Sequence, residues 1–92
     1  MNTNHINEAL LKYIQLPWIT EDDRNAIVAQ YGSDVLSSID EMYLFAVNDK
    51  VWTTIDYSEA YNQTIVRLRI EYSFLSEQAV KKIANLASYS WK

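Results

Sequence analysis

The chain has 92 residues, 49% hydrophobic and 22% charged with one glycine and one proline, a composition that excludes a disordered tail and leads us to expect one globular domain over residues 1–92. The absence of cysteine excludes disulfides, thiolate metal sites and a thiol nucleophile, and points to a reducing, cytoplasmic setting. A net charge of −4 opposes the basic surface on which nucleic-acid binding draws.

The segment Met1 to His5 lacks both the basic start and the apolar run of a signal peptide. No stretch approaches the ~20 apolar residues of a membrane span, so no membrane association is expected. From Asn4 to Leu16 the residues Ile6, Ala9, Leu10, Tyr13 and Ile14 recur at spacings of three and four, which predicts a first helix with one apolar stripe, closed by Pro17. Thr20 has the character of an N-cap followed by a first turn of Glu21, Asp22 and Asp23, and Gly32 is placed to end the helix. A second helix over about Glu21 to Tyr31 follows, with Ile27, Val28 and Tyr31 inward.

Ser33 can cap a third helical segment carrying Val35, Leu36 and Ile39. Past Asp40 two readings compete: the helix runs on through Met42, Tyr43 and Ala46 to Val47, or it stops near Glu41 and residues Met42 to Val47 form a strand. The strand is preferred, because Asn48 and Asp49 are turn residues and Val51 to Tyr57 is rich in β-branched and aromatic types. Val66 to Phe74 then alternates apolar and polar residues over nine positions, the period of a strand buried on one face. Together these predict a three-stranded antiparallel meander. Ser76 caps a last helix with Val80, Ile83, Ala84, Ala87 and Trp91 on one stripe, and Lys81 and Lys82 directed away.

The expected fold class is therefore α+β, with N-terminal helices, the meander, and a C-terminal helix on one sheet face. An all-α helical bundle is the alternative, since Ile65, Leu68, Tyr72, Leu75 and Ala79 also fall at heptad-like spacing.

The residues give little to support catalysis. His5 is the only histidine and belongs to no catalytic or metal-ligating motif in the sequence, and the single glycine excludes phosphate-cradling loops and a glycine-rich nucleophile elbow. No catalytic residue, metal site or cofactor is expected, and the chain is read as a non-enzyme. Glu21, Asp22, Asp23 and Asp34 fall in helix first turns, where the dipole accounts for them. Asp40 and Glu41 sit where a helix would end, against that dipole, and are kept as candidate partner contacts.

On the expected sheet, Val66, Leu68, Ile70, Tyr72 and Phe74 face the helices and Arg67, Arg69, Glu71 and Ser73 face outward; Val51, Thr53, Ile55 and Tyr57 point inward and Trp52 outward. A two-residue turn at Asn48 and Asp49 would add Phe45 to that outer face, whereas a three-residue turn would bury it. Aromatic residues and arginine concentrate at binding hot spots, so Phe45, Trp52, Arg67 and Arg69, with Asp40 and Glu41, are the candidate partner-binding residues.

Residues 1 to 41 hold seven acids against two bases, which suits a basic protein partner. The expectation is a protein-binding module, in particular a stoichiometric inhibitor or immunity-type antitoxin of a basic protein. A homo-oligomeric (for example homodimeric) structural or regulatory protein is the alternative, and a single-stranded nucleic-acid binder stacking bases on Trp52 is the second.

Overall fold

A computed structural model describes residues 3–91 and shows six helices, with no strand among the described residues. They are α1 (Thr3–Tyr13), α2 (Glu21–Tyr31), α3 (Ser33–Val47), α4 (Val51–Thr54), α5 (Tyr57–Glu71) and α6 (Glu77–Ser90).

In α1 the apolar stripe buries Ile6, Ala9 and Leu10, and Ile14 continues it just past the helix end. At the start of α2, Thr20 Oγ1 accepts the amide of Asp23 at 3.0 Å while the Asp23 carboxylate accepts the amide of Thr20 at 3.2 Å, a closed capping box. Gly32 alone joins α2 to α3. Its amide donates to Val28 O at 2.9 Å and its backbone lies at φ +96° and ψ 164°, a region essentially restricted to glycine.

The centre of the bundle is α6, which buries Ala79, Val80, Ile83, Ala84, Leu86 and Ala87 and packs against α1, α3 and α5. Its N-cap is Ser76, whose hydroxyl accepts the amide of Ala79 at 3.2 Å. Asn7 on α1 clips the turn between α5 and α6: its amide donates to Phe74 O at 3.1 Å and its carbonyl accepts the amide of Ser76 at 2.9 Å.

The α+β expectation is overturned: the first of the three expected strands is helical throughout, and the other two divide between helix and turn. Residues 42–47 extend α3, because Val35, Ile39, Met42 and Ala46 make one continuous buried line at spacings of four, three and four. Asn48 and Asp49 do form a turn, but one that links helices: the Asn48 amide closes α3 on Leu44 O, and Asp49 Oδ1 accepts the amide of Val51 at 2.9 Å to start α4. Residues 66–74 belong to α5 and the turn after it. There Ala60, Thr64 and Leu68 are buried at i, i+4 and i+8, Ile65 and Tyr72 are partly buried, and Leu75 and Ala79 follow in the core.

The alternation that suggested a strand comes from apolar residues the helix leaves outside. Val66 is 56% and Ile70 76% exposed, whereas a sheet would have buried both. In the middle segment Val51 is partly buried, but Trp52, expected outside, is 7% exposed and part of the core, while Thr53, Ile55 and Tyr57, expected inside, are exposed. Among the described residues, no helix is long and apolar enough to cross a membrane.

Candidate functional site

At one end of the bundle, the C-terminus of α6 is ringed by aromatic side chains from four other parts of the chain. The reason is local and polar. The last carbonyls of a helix have no intrahelical donor, and here ring N–H and O–H groups supply it. Trp52 Nε1 donates to Ala46 O at 2.9 Å and Trp91 Nε1 to Val47 O at 2.7 Å, closing the end of α3. Tyr57 Oη donates to Ser88 O at 2.8 Å and also bonds the Ser88 hydroxyl, which fixes the start of α5 against the end of α6. Tyr43 Oη meets Ser90 Oγ at 2.7 Å, and Ser90 in turn donates to Leu86 O at 3.0 Å.

The connection between α1 and α2 crosses the same end. Ile14 and Ile19 anchor it to the core, which leaves Leu16, Pro17 and Trp18 on the outer side of that connection. The Trp18 ring lies 5.3 Å from that of Tyr89, and Trp52 lies 5.7 Å from Tyr57. All three tryptophans of the chain are therefore gathered here.

Two grooves open on this surface, and Pro17 borders both. The larger, about 350 Å³, has α6 along it through Lys82, Asn85, Ser88 and Tyr89, with Gln15, Leu16, Pro17 and Tyr57 completing its lining. The smaller, about 230 Å³, is lined by Pro17, Trp18, Ile19, Arg24, Tyr43, Leu86 and Ser90. Among the described residues, neither lining contains a carboxylate or a histidine that could act as a general acid or base.

The expected partner-binding residues are scattered by the helical fold. Trp52 is committed to the core. Arg67 and Arg69, neighbours on one face of a strand, diverge on α5: Arg67 forms an ion pair with Asp49 and places its guanidinium 4.5 Å from the Phe45 ring centre, while Arg69 reaches Glu77 at 3.7 Å. Phe45 and Arg67 are thus brought together, alongside Tyr72, whose ring stands edge-on to Phe45 at 5.3 Å. Burial and the nearby Glu41 and Glu71 carboxylates raise the Tyr72 phenol above its usual value, which puts exposed Glu41 near the same cluster.

Asp40 lies elsewhere. It takes two hydrogen bonds from Arg24, at 3.0 and 3.1 Å, and raises the pKa of that guanidinium through those bonds and its charge. Because α3 continues to Val47, Asp40 is a mid-helix residue facing α2 and not an unexplained charge at a helix end. The single histidine, His5, packs its ring 5.3 Å from Tyr31. Among the described residues, no group of three or more potential ligands is arranged to hold a metal ion.

Leu16, Pro17 and Trp18 were missed as site residues. Their signal was present: three consecutive bulky apolar residues between a helix end and an N-cap, in a connection that would ordinarily be polar. Comparison with protein-family models, with curated proteins and with solved structures returns no match.

Proposed function

We propose that this chain is a protein-binding module whose docking surface is the aromatic end of the bundle. One observation carries the reading: Leu16, Trp18, Tyr57, Tyr89 and Trp91 converge on this end and are each between 40 and 47% exposed. A protein of this size normally exposes large apolar side chains singly, and tryptophan and tyrosine beside grooves are the residue types that dominate binding energy.

Charge supports the partner class. Glu21 and Asp22 begin the helix that follows Trp18, and Asp56 and Glu59 bracket Tyr57; all four are exposed, and none forms an ion pair among the described residues. An apolar centre with an acidic border complements a basic protein surface. The mode we propose is stoichiometric inhibition of a basic protein.

Immobilised wild-type chain and a Trp18→Ser/Tyr89→Ser variant, compared on the same cell extract, test this. A protein retained by the wild type and bound at least about 30-fold more weakly by the variant, with salt-sensitive association, is the expected result. Equal retention by both would place docking elsewhere.

A second reading, self-association, has its own observation: Val66 and Ile70 are exposed one turn apart on α5, and Phe74 follows at the same spacing. Light scattering on wild type and Ile70→Glu separates the two. A dimer lost in the variant favours self-association, and a monomer in both favours an outside partner.

A further inference from the structure

We infer that the larger groove is a binding site for a small organic anion, a carboxylate carried on a flat apolar body. Among the described residues, Lys82 is the one charged residue in its lining, within a chain of net charge −4. The adjacent Lys81 is paired with Glu77 at 3.6 Å, but Lys82 is paired with no carboxylate among the described residues.

Lys82, Asn85 and Tyr89 recur at spacings of three and four, so one face of α6 presents an ammonium, a side-chain amide and a phenol in line. The ammonium and the amide N–H are donors suited to a carboxylate, and among the described residues no acidic side chain in the lining competes for them.

The remaining lining suits the ligand's apolar body and is already in place. Tyr57 is pinned through its hydroxyl to Ser88, Pro17 is rigid by its ring, and the Gln15 amide is held by Leu11 O at 2.8 Å and Lys12 O at 3.2 Å. Little ordering is left for a ligand to impose, and the volume of about 350 Å³ falls within the range of small-molecule sites.

The proposal needs no protein partner, so its outcome is independent of the docking reading above. It is tested on the isolated chain by amide and side-chain NMR shifts of Gln15, Asn85 and Tyr89 during titration with benzoate, benzamide and inorganic phosphate. Benzoate should give saturable shifts at these residues, and benzamide and phosphate should each bind at least about tenfold more weakly. Lys82→Gln, a change at a partly exposed residue whose fold is checked by circular dichroism, should weaken benzoate by about tenfold or more while Lys81→Gln leaves it unchanged. Absence of saturable benzoate binding, equal affinity in the Lys82→Gln variant, or phosphate or benzamide binding as well as benzoate would each overturn the inference.

Discussion

Truncating Trp52 and Ile70 in parallel separates the helical bundle from a sheet, because the two architectures assign these residues opposite environments. In the bundle Trp52 is 7% exposed, packs 5.7 Å from Tyr57 and donates its indole N–H to Ala46 O. Trp52→Ala removes that packing and leaves a helix-terminal carbonyl without its donor, for a cost of about 3–5 kcal/mol. With an unfolding entropy near 0.2 kcal/mol/K for a chain of this length, the melting temperature should fall by roughly 15–25 °C. Trp52→Phe keeps the packing and loses the hydrogen bond, and should cost about 1–2 kcal/mol. Ile70, 76% exposed, behaves oppositely: Ile70→Ala should stay within about 0.5 kcal/mol of wild type, with slightly better helix propensity offsetting the lost methyls. Thermal and urea unfolding followed by far-ultraviolet circular dichroism measures all three variants. A loss of about 2 kcal/mol or more in Ile70→Ala together with less than about 1 in Trp52→Ala would mean that the sheet assignment was right and the packing described here wrong.

Other residues give sharper local tests. Thr64 is fully buried on α5 and its hydroxyl has no hydrogen-bond partner among the described residues, so the isosteric Thr64→Val should be neutral or stabilise by up to about 1 kcal/mol in urea unfolding; a clear loss would mean the hydroxyl is bonded. At Gly32 an added Cβ meets no atom within 4 Å, so any cost of Gly32→Ala is conformational and should be about 1–3 kcal/mol, whereas an unchanged midpoint would contradict the positive φ. Burial raises the phenols of Tyr61 and Tyr72 above the ordinary 10.0, with Tyr57 adding to the first and Glu41 and Glu71 to the second. The unfolded chain therefore loses these protons first as pH rises. Stability should hold below about pH 10 and decline above it, and a Tyr61→Phe/Tyr72→Phe variant should decline less steeply in urea titrations at pH 8 to 11. An identical slope in both proteins would reject the burial of these rings.

Much of the periphery of this fold was legible in the residues. The limits of α2 followed from Thr20, the acidic first turn and Gly32, and the start of α6 from Ser76, because capping chemistry is written in neighbouring positions. The middle was misread for a specific reason. Alternation identifies a strand only if apolar residues point inward, and α5 keeps Val66 and Ile70 on its outer surface, where they counterfeit a period of two. The four-residue spacing from Ala60 through Thr64 to Leu68 was equally present, but its polar member concealed it. The line Val35, Ile39, Met42 and Ala46 also favoured a continuous helix, and the β-branched content of residues 51–57 outweighed it although only a single turn of helix forms there. For the aromatic end, only the apolar run Leu16 to Trp18 could have been noticed. That Trp18 meets Tyr89, or Trp91 the end of α3, depends on packing between elements far apart along the chain.

The Asn7 clip has a consequence for how the molecule is assembled. One short amide near the beginning of the chain completes the hydrogen bonds of a corner formed nearly seventy positions later, at Phe74 and Ser76. During synthesis the first helix can pack on α2 and α3 as soon as they emerge, but its seat against α6 and the Asn7 hydrogen bonds wait for the segment that carries Phe74 and Ser76. A bundle built mostly from local helices thereby acquires a late, long-range closing step, and its refolding should be slower than its helical content alone suggests.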